Sequence, residues 1–102
     1  MTQMKFQEKV WELMKKIPRG KVTTYKILAE KLGTRAYRAV GTACAKNPNA
    51  PKTPCHRVIA SDGTVGNYSG RGGVSSKATL LKKEGIEIVN GRVDLKKFLF
   101  EF

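Results

Sequence analysis

A chain of 102 residues, 40% hydrophobic and 27% charged, can bury one modest core but not two independent ones, so residues 1–102 read as a single domain. Twenty Lys and Arg against eight Asp and Glu give a formal charge of +12, a field that draws in phosphate polyanions or anionic membrane surfaces. No apolar run approaches a membrane span, and the start, MTQMKFQEKVW, lacks the apolar centre of a signal peptide; the expectation is a cytoplasmic protein, with no membrane partner and with Cys44 and Cys55 as free thiols.

Phe6, Val10, Leu13, Met14 and Ile17 recur at helical spacing, predicting an amphipathic helix over 3–17 that Pro18 stops, with Trp11 as packing beside the stripe. A short β-branched stretch, KVTTY, follows, and Thr23 or Thr24 is placed to cap a helix from Tyr25 to Leu32. Gly33 suits the left-handed position that closes that helix, and Thr34 is placed to cap the next, from Arg35 to about Lys46. Helix, tight turn and helix over about 25–46 form the spacing of a DNA-binding helix-turn-helix, a pattern shared with helical hairpins that touch no nucleic acid.

Ala36, Ala39, Gly41, Ala43 and Ala45 make the second helix thin, with Arg35 and Arg38 standing out from it and Val40, Ala43 and Cys44 packing inward. Between Lys31 and Lys83 the one acidic residue is Asp62, against Arg35, Arg38, Lys46, Lys52, Arg57 and Arg71. Asn47 to Pro51 is a turn-rich connector, leading through an extended segment to Pro54 and Cys55. Val58 to Ala60 is a short strand or helical turn, Asp62-Gly63 a tight turn, and Gly66 to Gly73 a glycine-rich loop. A helix capped by Ser75 or Ser76 and ending at Gly85, a hairpin at Asn90-Gly91, and an apolar tail with Leu95, Phe98 and Phe102 complete the chain. The predicted class is mostly α with small β elements, a winged-helix-like, helix-turn-helix domain.

TPCHRVIAS, residues 53–61, carries the chemistry. A free thiol is a few per cent ionised at neutral pH, about pKa 8.5, so Cys55 needs a base or a positive neighbour, and His56 and Arg57 are placed to provide them if the fold brings them into reach. An accessible, partly ionised sulfur is therefore expected. Cys44, Cys55 and His56 as zinc ligands lack a paired Cys-x-x-Cys and a fourth ligand, so no metal and no cofactor are expected. A purely structural Cys55 is the plain alternative, and it describes Cys44 on its Ala-rich helix better. A papain-like hydrolase is disfavoured by the size of the chain and the residues around the cysteine.

PCHRVI at 54–59 resembles the active-site motif of the O6-alkylguanine-DNA alkyltransferases, also called methylated-DNA–protein-cysteine methyltransferases. VTTYKILAEKLG and RAVGTA upstream, NP eight residues before the cysteine, and VGNYSG after it agree in order and spacing, so the resemblance runs from about Phe6 to Gly85. It implies the C-terminal active-site domain of that family, with the N-terminal domain absent. It further implies that Cys55 takes the alkyl group from the guanine oxygen in one irreversible, single-turnover step. His56 would relay the thiol proton through a water with Glu84 orienting it, Asn47 would brace the active-site segment, and Tyr25 would donate to the base. Ser69 and Tyr68 would hold and wall the altered oxygen, and the carbonyls of Cys55 and Val58 would read the exocyclic amine.

The implied partner is duplex DNA containing O6-alkylguanine, entered from the minor groove by a monomer. Arg38 would fill the gap left by the flipped nucleotide, with Arg35, Ala36, Ala39 and Thr24 on the DNA-binding face. Base extrusion costs about a few kcal/mol, offset by phosphate contacts and the inserted side chain. Thr53 and Lys52 depart from the apolar residues usual before the motif, Tyr37 stands where a smaller residue is frequent, and the segment between Ser69 and Glu84 is two residues longer than usual. The alternative is an alkyltransferase-like protein, which flips alkylguanine without repairing it and characteristically carries tryptophan in place of the cysteine. A generic helix-turn-helix regulator would leave Cys55 unexplained.

Overall fold

The computed structural model describes residues 4–47, 53–65 and 73–102, the last of these with backbone alone for 73–76. Helix α1 (Phe6–Met14) turns Val10 and Met14 into the core, and Ile17 follows them inside. It is shorter than the predicted 3–17. After Met14 the backbone tightens, Lys16 N donating to Leu13 O at 3.0 Å and Ile17 N to Met14 O at 3.1 Å, because the residue before Pro18 is pushed out of the helical region. The Trp11 indole packs against the core and donates to Ala43 O at 2.8 Å.

Strand β1 (Thr23–Thr24) leads directly into α2 (Tyr25–Lys31), whose first turn is capped by Thr24: its hydroxyl accepts from Ile27 N at 3.1 Å. Gly33, at φ +72°, supplies the left-handed turn after α2. Helix α3 (Tyr37–Ala45) begins two residues later than the expected Arg35. Thr34 spends its hydroxyl on Ala36 N at 3.1 Å, a local turn that competes with helix, and the cap position falls to Ala36, which has no acceptor to offer. Arg35 and Ala36 therefore precede the helix.

A 3-10 turn (Cys55–Arg57) runs into β2 (Val58–Ile59), which pairs in parallel with β1, Thr23 opposite Val58 and Thr24 opposite Ile59. Successive strand residues face opposite ways, and the consequence here is two cores. Val58 joins the cluster under α1, α2 and α3, with Met14, Leu28 and Val40; Ile59 joins Val22, Leu81, Ile86 and Val93 on the other side. Cys55 belongs to the first.

Helix α4 (Gly73–Lys83) starts two residues before the expected Ser75 and is closed by Gly85 at φ +86°. Strands β3 (Ile88–Val89) and β4 (Arg92–Val93) form the expected hairpin over Asn90 and Gly91, both at positive φ. Gly63 makes the close approach that only glycine permits: at φ +90°, an added Cβ would lie 2.6 Å from Val93 O. Helix α5 (Leu95–Phe98) is capped by Asp94, whose carboxylate accepts from Lys96 N at 3.0 Å. The tail then returns to β1: Val22 N donates to Phe98 O at 2.9 Å and Phe100 N to Val22 O at 2.7 Å. Among the described residues the architecture is mostly helical with two small two-stranded sheets, in keeping with the predicted mostly α class with small β elements.

Candidate active site and DNA interface

Pro54 adopts φ −83°, ψ 71°, a non-helical entry that starts the tight turn at Cys55. Cys55 N donates to Thr53 O at 2.9 Å, and the same carbonyl accepts from Asn47 Nδ2 at 2.6 Å, so Asn47 braces the approach to the turn from the end of α3. Cys55 is 4% exposed. The accessible sulfur expected from the sequence is instead an internal one, because the turn tucks it against the first core. Its setting is not pure hydrocarbon: Tyr25, Cys44 and Lys77 all interact electrostatically with it.

His56 and Arg57, consecutive in the turn, converge on the carboxylate of Glu84, 28 and 27 residues downstream. His56 Nε2 lies 2.9 Å from Glu84 Oε2, with both side chains nearly buried. Arg57 donates from Nε to Glu84 Oε1 at 2.9 Å, from Nη2 to Oε2 at 2.6 Å, and from Nη1 to Ile17 O at 2.7 Å. Burial opposes charge on Glu84, but the hydrogen bonds from Arg57 and His56 outweigh it and hold its carboxyl below the ordinary range. Burial lowers His56, which its hydrogen bond to Glu84 only partly reverses, so the ring is neutral at neutral pH. A neutral imidazole, here on the residue that follows the buried Cys55 in the turn, can accept a proton.

Lys77 on α4 is a residue that sequence reasoning missed. It is fully buried, its ammonium donating to Val58 O at 2.7 Å and to the Tyr25 hydroxyl at 3.4 Å. Burial lowers its pKa to about 8, with Cys44 and Cys55 pulling it part of the way back. Burial also raises Tyr25 far above the ordinary phenol range, with Cys44 and Cys55 adding to the effect. Cys44, 3.6 Å from the Met14 sulfur, is pushed up to about 12 by burial and then by Cys55, which leaves it a protonated packing thiol. The carbonyls expected to read a base already accept bonds within the protein, Cys55 O from Val58 N and Val58 O from Lys77.

On the outer side, Arg38 and Ala39 are exposed on α3, and Arg35 and Ala36 are exposed just before it. Tyr37, 42% exposed, stands beside Arg38. Thr24, expected with them, is 3% exposed and occupied in capping α2. Tyr68 and Ser69, expected at the pocket wall, lie outside the described residues. Among the described residues no group of three His, Cys, Asp or Glu could hold a metal ion, and no helix is long and apolar enough to cross a membrane.

Residues 5–86 match the family model described as the DNA binding domain of 6-O-methylguanine DNA methyltransferase. That description replaces the expected label of a C-terminal active-site domain. The chain is 51% identical over 83 residues to the methylated-DNA–protein-cysteine methyltransferase of Saccharolobus solfataricus, covering 81% of this chain and 52% of that one. It spans between about a fifth and about half of the length of the curated relatives it matches. Among solved structures it is similar to Mycobacterium tuberculosis OGT in complex with DNA, with TM-score 0.74 and 39% identity over 81% of this chain and 51% of that one. It is also similar to Schizosaccharomyces pombe Atl1 in complex with damaged DNA containing O6-carboxymethylguanine, with TM-score 0.85 and 30% identity over 100% of both chains. The family model that matches residues 5–86, together with 51% identity over 83 residues to a methylated-DNA–protein-cysteine methyltransferase, makes this chain a member of the 6-O-methylguanine DNA methyltransferase family through its DNA binding domain.

Proposed function

We propose that the chain extrudes O6-alkylguanine from duplex DNA and transfers the alkyl group to Cys55 in a single turnover. The observation that carries this reading is a sulfur 4% exposed in the turn whose next residue, His56, is hydrogen-bonded to Glu84 and kept neutral by burial. A reactant reaches such a sulfur only by entering the protein, which favours a base swung out of its stack over one read in place. His56 takes the thiol proton; the sulfur then attacks the alkyl carbon, the S–C bond forms, and the C–O6 bond breaks with its electron pair passing to the guanine. Tyr25 supplies a proton to the departing base. Asn47 keeps the turn in register through Thr53, and the exposed Arg38 holds the gap in the duplex, approached from the minor groove by a monomer. The alkylated cysteine has no leaving path, so each molecule acts once.

Intact-mass spectrometry after incubation with an O6-methylguanine duplex tests this reading. A gain of one methyl on the peptide holding Cys55, absent from Cys55→Ser, is expected. No gain would leave the second reading, lesion binding without repair, which the likeness to Atl1 over the whole of both chains favours. The cysteine itself speaks for transfer, since a binder of that kind needs no nucleophile at position 55.

A further inference from the structure

Of the fully buried side chains among the described residues, the largest is a lysine. Removing an ammonium from water costs several kcal/mol after relaxation, so a fold keeps one inside only where something compensates for it. Lys77 sits where α4, α2 and β2 meet. Its ammonium donates to Val58 O at 2.7 Å and to the Tyr25 oxygen at 3.4 Å, and lies 5.7 Å from the centre of the Tyr25 ring. Among the described residues, the other titratable groups facing it are Cys44 from α3, and Cys55 and His56 from the 3-10 turn.

The direction of the bond matters. Because Lys77 donates to the phenol oxygen, the single Tyr25 proton points elsewhere and is available to another acceptor. We infer that Lys77 and Tyr25 form a two-link proton relay to the leaving guanine, with Lys77 as the proton reservoir acting through Tyr25; this rests on the alkyl-transfer reading. As the C–O6 bond breaks, the Tyr25 O–H proton moves to a ring nitrogen of the guanine, and an Nζ–H proton moves to the Tyr25 oxygen. Neutral guanine leaves, Tyr25 is a phenol again, and Lys77 is left as a neutral amine.

Tyr25 alone is a poor donor here. Burial and the neighbouring thiols raise it well above an ordinary phenol, so a phenolate left at this spot would be strongly disfavoured. Lys77, lowered by burial to about 8, is by a wide margin the stronger acid, and proton flow from nitrogen to phenolate oxygen runs downhill.

The test is the pH dependence of single-turnover methyl transfer from an O6-methylguanine duplex to the full chain, followed by intact mass across the neutral and alkaline range. Wild type is expected to lose rate as the pH rises through about 8, where Lys77 gives up its proton. Tyr25→Phe flattens that falling limb, and Lys77→Met both removes it and slows transfer about a hundredfold. Ethylammonium added to Lys77→Ala is expected to restore rate in proportion to its protonated fraction, which a packing role would not produce. A wild-type profile that stays level above pH 8, or Lys77→Met transferring at the wild-type rate, overturns the relay. If Lys77→Met does not fold, by Trp11 fluorescence, the wild-type and Tyr25→Phe profiles decide the matter. Absence of any methyl gain in wild type defeats the transfer reading first, and the relay with it.

Discussion

Arg57 grips Glu84 at two points, Nε to Oε1 at 2.9 Å and Nη2 to Oε2 at 2.6 Å, while its third nitrogen holds Ile17 O. One guanidinium thus ties the segment after α1, the Cys55–Arg57 turn and the end of α4 together. Removing one partner of a buried pair costs about 3–5 kcal/mol, and the 16% exposure of Arg57 reduces this, so Glu84→Gln is expected to lower stability by about 2 kcal/mol. Urea unfolding measures it, and an unchanged midpoint would refute the clamp. The folded Glu84 pKa lies below its ordinary value of 4.5, so its contribution is complete above 4.5 and drains away as pH falls through the folded value. In Glu84→Gln that acid-side loss should be smaller.

His56 titrates in a separate window. Its folded pKa is below 6.5, so beneath that pH the unfolded chain binds a proton that the folded chain does not, and folding loses stability as pH drops. Wild type should therefore lose stability relative to His56→Gln in the window just below 6.5, above the carboxylate range. Methyl transfer should fall only at lower pH, as the folded His56 itself takes up a proton below 6.5, since imidazolium takes no proton. His56→Gln at neutral pH is expected to slow transfer about a hundredfold while binding the lesion duplex as before. A wild-type rate profile that shows no His56-dependent fall at any acidic pH where the protein stays folded would remove His56 from the reaction.

Asn47 acts at one remove from the sulfur. Its amide donates to the Thr53 carbonyl at 2.6 Å, two residues before Cys55, so it sets where the turn begins. Asn47→Ala is expected to cost about 1 kcal/mol in stability and to slow transfer more than it weakens duplex binding. Equal losses in rate and binding would make it a general packing residue.

The tail beyond the family match has a structural task. Phe100 hydrogen-bonds Val22 through its backbone, packs its ring on the first core, and meets Phe102 edge-on at 5.0 Å. Full burial of a phenylalanine is worth about 3–5 kcal/mol against alanine; Phe100 is partly buried, so Phe100→Ala should cost about 2 kcal/mol. Thermal unfolding that leaves the midpoint in place would show the tail to be only loosely docked.

What could be read from the sequence divides along the range of the forces involved. The Thr24 cap, the Gly33 turn and the Asn90-Gly91 hairpin are local chemistry, decided within a few residues, and they appear where the pattern puts them. The start of α3 is local too, yet Thr34 had two partners within reach and bonded Ala36 N rather than capping a helix at Arg35. The pairing of His56 with Glu84 spans 28 residues and followed from the family resemblance, because nothing near either residue specifies it. Lys77 escaped notice because SSKATLL reads as a solvated helical stretch. The signal was its stripe: Lys77 lies four residues before buried Leu81 and seven before Glu84, one helical face. Burial of Cys55 was not legible, since a turn can point a side chain either way and only the packing of β2 against β1 decides it.

Arg38 is exposed on α3, and its guanidinium makes no hydrogen bond or ion pair among the described residues. Folding therefore does not need it, and Arg38→Ala should leave stability within about 0.5 kcal/mol of wild type. If its task is to stand in for an extruded base, the loss falls on the lesion-dependent step. Binding to plain duplex should weaken modestly, with the salt slope smaller by about one charge, whereas extrusion of the lesion should slow far more. Stopped-flow fluorescence of a reporter base beside O6-methylguanine separates the two. Equal weakening of plain-duplex binding and of the fluorescence step would make Arg38 an ordinary phosphate contact and return the question of what fills the gap to Tyr37, its exposed neighbour.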